Sequence, residues 1–372
     1  MRANNAIALI FSNANDEALP EFTEYRSMGS VPFGGRYRII DFHLSNLVNA
    51  GVGKVGVIPR SNYRSLMDHI GSGKPWDLDR KQGGLSFLPP FVTAAGGAYK
   101  GHIEAVLNVS DYLKHSHQEY VILCDSDVIC NIDIADMLEK HIKSEADVTV
   151  AYKNGALPKY HKPHIVLELD DQGWAKDILV SVDTGAECNY GIGLMIFRSE
   201  QLIDLSIKAM ERGYTSIGRG VLQANRDALR IKGYKIESFC VTIDDLKAYS
   251  EANMALLNAE VRRDLFNPKR PIYTKVRDDM PAKYGLDSSV KNSLIGDGCV
   301  VEGSVENCIL FRGVKVGKNS HLRNCIIMQA GVIGEGCDLE YVTADKDVSV
   351  SDGTQLKGAK DCHYIIKKRT RI

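Results

Sequence analysis

The 372-residue chain has no CxxC pair and no cluster of His and Cys, although it holds nine cysteines. Most of these lie in apolar runs such as "VILCDSDVIC" and "IGDGCV". That placement describes buried, reduced thiols and argues against zinc sites and a disulfide framework. The sequence also lacks an apolar run of the ~18 residues that a membrane span needs, and it has no signal-like apolar segment near Met1. A cytoplasmic protein with no membrane partner is therefore expected. Charge of one sign is missing too: the formal net charge is −1. No global field draws the chain to nucleic acid, and no nucleic-acid partner is expected.

What is present is ordinary globular composition, 44% hydrophobic and 25% charged. The length suits roughly two domains at ~100–200 residues each. The two halves have different patterns. Up to Leu257, "AIALIF", "VGKVGVIP", "YVILCDSDVI" and "DVTVAYK" read as strands apolar on both faces, as in a mostly parallel sheet. "RIIDFHLSNLVNAG", "HIEAVLNVSDYLKHSH" and "IADMLEKHIKSEA" have the apolar spacing of helices. This alternation predicts a doubly wound α/β domain over residues 1–257. Its ligands are expected at the carboxyl ends of the strands, beside Ser12–Phe33 and Asp125–Asp127.

A helical stretch and the proline-marked "NPKRPIYTK" form a linker over 258–287. Beyond it, "IGDGCV", "VGKNSH" and "IGEGCD" share one template: an aliphatic residue, glycine, then small or polar residues. Aliphatics recur at hexad steps, as in Leu310, Val316 and Leu322, and in Ile327, Ile333 and Leu339. This is the pattern of a hexapeptide β-helix, predicted over 288–372. The rungs offer His321 but no second residue for acyl transfer.

Several segments resemble the bacterial glucose-1-phosphate adenylyltransferase (ADP-glucose pyrophosphorylase) family. "VPFGGRYRIIDFHLSN" is similar to the signature that follows its phosphate loop. "HIGSGKPWDLDR" with "LPPF" resembles a second signature, "YKGHIEA" an active-site segment, and "AYSEANMALL" the close of the catalytic domain. The resemblance runs over almost the whole chain. It implies a nucleotidyltransferase-like (GT-A/Rossmann-like) domain followed by a left-handed β-helix, and synthesis of ADP-glucose for glycogen.

The departures from the family pattern are as informative. The family loop reads Gly-Gly-x-Gly-[Ser/Thr]-Arg-Leu, followed by a lysine. Here the aligned residues run from Asn13 to Leu19, with Ala18 at the arginine position and Met28 at the lysine position. Asp16 and Glu17 add negative charge where a triphosphate needs backbone N–H groups and cations. If the lost cations each contribute a few kcal/mol, the rate falls by several decades, at ~1.4 kcal/mol per decade. The family's two magnesium-binding aspartates correspond to Asp127 and Thr242, so one carboxylate is missing, with Asp244 and Asp245 displaced from the position. The family's sugar-phosphate lysine has no match, Lys176 being out of register.

The resemblance therefore implies a regulatory-type subunit that pairs with a catalytic subunit in a hetero-oligomer, expected to be a tetramer. No confident catalytic residue remains. Gly34, Gly35, Glu104 and Asp127 are the expected remnants of the nucleotide pocket. For Gly34–Gly35 a tight turn is an equal reading, and Asp127 could instead cap the next helix. Arg26 matches a family arginine linked to anionic effectors, so sugar-phosphate or nucleotide effectors are implied; a solvated surface charge is its plainer reading. His102 is read as structural, and the terminal "KKRTRI" as a solvated basic tail. No tightly bound cofactor is expected, with Mg2+ required only for residual activity. The alternatives are an active adenylyltransferase with a rebuilt loop, using Arg26 or Lys176 and Asp244, and a ligand sensor without a catalytic partner.

Overall fold

A computed structural model describes residues 3–90, 99–157, 163–181 and 187–372. The α/β domain is built on β1 (Ala6–Phe11), α1 (Ile39–Asn49), β2 (Lys54–Ile58), β3 (Gly84–Phe87), α2 (His102–Asn108) and β4 (Tyr120–Asp125). There follow β5 (Val128–Cys130), α3 (Ile134–Ser144), β6 (Val148–Ala156), β7 (His164–Leu169), β8 (Ala175–Ser181) and β9 (Glu187–Arg198). The domain ends with α4 (Ser199–Glu211), β10 (Ile231–Lys235), β11 (Cys240–Thr242) and α5 (Leu246–Ala255). The order β8–β7–β9–β4–β1–β2–β3 forms the main sheet, with β6 on β9 and β10 on β6. β1 is parallel to β2 and β4, whereas the long β9 is antiparallel to β4, β6 and β7. The core is thus parallel, as the doubly apolar strands predict, with an antiparallel extension. Every residue of β1 and β4 is buried, because apolar clusters cover both faces.

Three segments divide more finely than their periodicity suggests. "YVILCDSDVI" is two strands with a turn at Ser126–Asp127, which lifts the Asp127 region out of the sheet. The helical stretch from His102 breaks at Val109. The stretch from Leu246 breaks after Ala255, and its second helix, Ala259–Leu265, is capped by Asn258. The helix after "CDSDVICNID" is capped not by Asp127 but by Asp133, whose side chain accepts the Asp136 N–H.

The first β-helix strand, Lys283–Tyr284, precedes the expected start at 288. Three parallel sheets of five strands each stack into five coils, a left-handed β-helix. Val301, Val316, Ile333 and Val350 align along one sheet, and Leu310, Ile327, Ala344 and Ile366 along another. All are buried in one continuous core, so no coil is self-sufficient and each seals its neighbours. Asn292, Asn307 and Asn324 turn corners with positive φ, which asparagine tolerates. The "KKRTRI" tail is not loose: Ser349 and Ser351 donate their N–H groups to the carbonyls of Thr370 and Ile372 on the last coil.

The two domains share a third apolar cluster. It joins Ala18, Leu19, Phe22, Met28 and Phe33 to Tyr249 and Leu256, and then to Ile309, Phe311, Ile326 and Met328 of the β-helix. The segment after β1 is therefore core at the domain junction as well as the wall of a cleft.

Candidate functional site

The cleft lies where parallel strands end. β1 and β4 are in register to their last residues, Phe11 beside Asp125, and the chain turns out of the sheet after both. The cavity there has a volume of about 320 Å³. Asn13, Asn15, Asp125, Asp127, Thr215 and Thr242 contribute polar groups to it, and Phe11, Leu123, Met195 and Ile217 an apolar floor.

The loop after β1 is closed by its own hydrogen bonds. Asp16 Oδ1 accepts the Met28 N–H at 2.7 Å, and Asp16 Oδ2 accepts Asn13 Nδ2–H at 2.6 Å. The Thr23 hydroxyl donates to the Asp16 carbonyl at 2.8 Å, and Asn13 Oδ1 accepts the Arg60 N–H at 2.7 Å. Burial raises the Asp16 pKa, outweighing the bonds from Asn13 and Met28 that favour the anion. Where a phosphate loop offers free N–H groups, this loop has one, that of Met28, satisfied by a carboxylate. Glu17 is exposed. Ala18 and Met28, at the positions of the family's arginine and lysine, are 5% and 0% exposed and pack in the junction core. Both side chains serve the core here.

The other expected site residues divide between cleft and scaffold. Asp127 lines the cleft, and Thr242 faces it from β11, which pairs with β5. Asp244 is fully buried outside the cavity lining, its Oδ1 accepting from Asn15 Nδ2 at 3.4 Å, while Asp245 caps α5. Neither lines the cavity beside Asp127, whose neighbouring carboxylate there is Asp125. Among the described residues, no group of three His, Cys, Asp or Glu side chains is arranged to hold a metal. Lys176 is exposed on β8 away from the lining, and Glu104 accepts the Lys100 N–H at 2.7 Å rather than lining the cavity. Gly34 and Gly35 are also not cleft residues. They turn at the junction with φ of 59° and 83°; the Gly34 N–H donates to Asn253 Oδ1 at 3.0 Å, and Gly35 approaches Ile309 and Leu310.

His102 does line the cleft. Its Nε2 lies 2.7 Å from Asp125 Oδ1, and its ring stands edge-on to Phe11 at 4.5 Å. This pair has no signature in the sequence, because the strand-end aspartate and the helix-start histidine are joined only by the fold.

Arg26 is neither a solvated charge nor an open effector ligand. It is 1% exposed and ion-paired to Asp345 of the β-helix at 2.9 Å. Next to it, at the junction, is a second, smaller cavity of about 40 Å³. Arg36, Arg38, His69, Lys275, Arg277, Arg312 and Lys346 line it. At ~10–15 Å³ per water it has room for about three waters, the scale of a tetrahedral oxyanion. Arg312 is 7% exposed, and its nearest carboxylates, Asp297 and Asp279, are 3.7 and 3.8 Å away. Burial, reinforced by Arg38 and Arg26, lowers the Lys346 pKa to about 6, and burial lowers that of Arg38 to about 10. His69 bonds Asp41 at 2.5 Å, yet burial still lowers its pKa. This cavity has little signature in the sequence, because "RYR", "KVR" and "FRG" are far apart in the chain.

Comparison with known proteins agrees with this layout. A nucleotidyl transferase family model matches residues 18–160, beginning inside the altered loop, and a GlmU-like C-terminal hexapeptide model matches 280–361. The chain is 37% identical over 366 residues to the glycogen biosynthesis protein GlgD of Bacillus subtilis (strain 168), covering 98% of this chain and 96% of that one. It is 38% identical over 369 residues to the GlgD of Geobacillus stearothermophilus, covering 99% and 97%. To a glucose-1-phosphate adenylyltransferase of Bacillus cereus (strain ATCC 10987 / NRS 248) it is 29% identical over 374 residues, covering 97% and 96%.

Proposed function

The chain belongs to the GlgD family of glycogen biosynthesis proteins, related to glucose-1-phosphate adenylyltransferase, and from that premise we propose that it is a regulatory subunit. In this reading it is catalytically impaired and modulates a catalytic adenylyltransferase partner, with which it forms a heterotetramer in the cytoplasm. The observation that carries the proposal is the replacement of the loop's two cations by Ala18 and Met28 in the junction core, with Asp16 taking the Met28 N–H. Without those cations, charge developing on a transferring phosphoryl group is not stabilised. The free cysteines, seven of the nine buried, suit a reducing compartment.

Its effect on the partner is a coupling free energy, typically ~1–3 kcal/mol. We assign the response to small anionic effectors to the basic cavity between the domains, where ligand contacts to both domains favour one arrangement of the junction. No tightly held cofactor enters this reading. Magnesium belongs to it only as the ion that residual turnover needs.

The alternative is turnover through a rebuilt loop. Its three candidate groups, Arg26, Lys176 and Asp244, all lie outside the cleft lining, whose cations among the described residues are the exposed Arg60 and Lys100. The test is ADP-glucose formation by this chain alone, by a catalytic adenylyltransferase subunit alone, and by the mixture. The expected result is little turnover alone and a changed rate or substrate affinity in the mixture. Unchanged partner kinetics refute the regulatory role, and substantial turnover by the pure chain establishes the alternative.

A further inference from the structure

Two buried thiols face each other across the small sheet that walls the cleft. Among the described residues β5 and β11 pair only with one another, antiparallel and outside the main sheet, with Cys130 opposite Cys240. The Ile243 N–H donates to the Asp127 carbonyl at 2.7 Å, which makes these two residues a hydrogen-bonded pair. Antiparallel pairs alternate, so Cys130 and Cys240, three positions along, form a pair without hydrogen bonds. Their carbonyls agree, since each turns away from the opposite strand. That of Cys130 accepts Asn46 Nδ2–H at 3.0 Å, and that of Cys240 accepts Lys153 Nζ–H at 2.6 Å. In such a pair the Cα atoms lie ~4.5 Å apart, within the ~4.4–6.8 Å that a disulfide spans. Both side chains project to the same face and belong to one apolar cluster.

The position of the pair gives it leverage. Asp127, just before β5, and Thr242, at the end of β11, line the cleft. Asn131, next to Cys130, donates to the carbonyls of Leu265 and Arg270, where the chain runs towards the β-helix. The thiols are sealed, at 0% and 2% exposure. The hydrogen bond with Cys240, and then burial, push the Cys130 pKa well above its ordinary value, so the closed pair rests as a dithiol. A two-stranded sheet is marginal by itself, and its local opening admits an oxidant.

We propose that Cys130 and Cys240 are a redox switch: a low-molecular-weight disulfide oxidises them to a cross-strand disulfide that locks β5 to β11 and stiffens the cleft wall. The Cys240 thiol loses its proton, and its sulfur attacks one sulfur of the small disulfide. That S–S bond breaks, releasing one thiolate and leaving a mixed disulfide on Cys240. The Cys130 sulfur, deprotonated in turn, attacks the Cys240 sulfur and releases the second thiolate. The two cysteine protons pass to the released thiolates, and two electrons pass from the cysteines to the small disulfide. In a reducing compartment the pair stays a dithiol, and a shift of the thiol pool towards disulfide closes it.

The test treats the native full chain, carrying Cys362→Ser to remove the exposed thiol, with glutathione disulfide. The chain is then denatured, alkylated, digested and analysed by mass spectrometry. The expected result is a peptide linked through Cys130 and Cys240 and two fewer alkylatable thiols, both reversed by dithiothreitol. The oxidised chain is expected to melt about 5 °C higher, since the link closes a long loop. Hydrogen exchange of the Ile243 N–H, which bonds the Asp127 carbonyl, is expected to slow at least tenfold. Adding Cys240→Ala is expected to abolish all of these responses, with its melting temperature under reducing conditions reporting whether it has folded. Absence of the linked peptide from the native chain overturns the proposal. So does a first link between another pair, such as Cys308 and Cys325, or linkage that leaves Ile243 exchange unchanged. None of these measurements depends on ADP-glucose formation, so the regulatory reading stands or falls separately.

Discussion

Arg26 and Asp345, one in the loop after the first strand and the other in the β-helix, form a buried ion pair across the domain junction. The Arg26 Nη1 and Nη2 atoms both lie 2.9 Å from Asp345 Oδ1, and Nη2 also lies 2.9 Å from Oδ2. Removing one partner strands the other charge in a buried site. Asp345→Ala is expected to lower unfolding stability by ~3–5 kcal/mol, whereas the paired apolar change Arg26→Met with Asp345→Leu loses much less. Denaturant titration of the two single variants and the double variant measures the difference. Equal losses in Asp345→Ala and in the apolar pair exclude this account.

Met28 fills a site in the shared core that the family gives to a lysine. Met28→Lys buries an ammonium among Leu19, Phe22 and Phe33 and is expected to cost ~3 kcal/mol or more, read as a fall in melting temperature. Adding Ala18→Arg is expected to restore no ADP-glucose formation while Asp16 still holds the Met28 N–H. Appreciable turnover by this double variant refutes that expectation.

Lys346 gives the junction cavity a pH dependence. Burial, then Arg38 and Arg26, hold its pKa at about 6, with Asp345 opposing them. A bound anion favours the charged ammonium, so binding takes up a proton above that pH. Sulfate, whose own charge is constant over this range, is expected to bind more tightly as pH falls from about 9 to about 6, and then to level off. The lysine's effect on stability in the absence of ligand has the same physical cause. The unfolded lysine keeps its proton up to ~10.4, so unfolding binds a proton in this window and the contribution to stability rises with pH from about 6. Calorimetry in buffers of different ionisation enthalpy counts the protons, and Lys346→Met is expected to remove the uptake.

Gly34 is fixed by two constraints together. Its φ is 59°, and an added Cβ would lie 2.8 Å from Leu256 Cδ1. Gly34→Ala is expected to destabilise the junction by ~1–3 kcal/mol, with the first cleft left intact. A neutral effect on the denaturation midpoint contradicts this.

Much of the fold was legible because its signals are local. Doubly apolar strands such as "AIALIF" can lie only inside a covered sheet, and one aliphatic per hexad can be buried only by stacking coils. The breaks at Ser126 and Val109 were not legible, since apolar periodicity runs through both. The loop's departure from the glycine-rich pattern it resembles was legible as well, since an absent glycine, arginine or lysine needs no coordinates to be seen missing. What replaced it was not. Nothing local in "RSM" says that Arg26 would meet Asp345 or that Met28 would be core, and "GHI" does not announce a partner at the end of a strand.

By itself, then, the sequence determined the two-part architecture, because it depends on residue type at fixed spacing. The tertiary structure alone decided where the remaining charges went. Asp16 turned inward onto Met28, Arg26 was consumed by Asp345, and Arg36, Arg38, Arg312 and Lys346 were drawn from both domains around one small cavity. Contacts between residues hundreds of positions apart are set by how two domains pack, and packing is a property of the folded surface rather than of any segment of the chain.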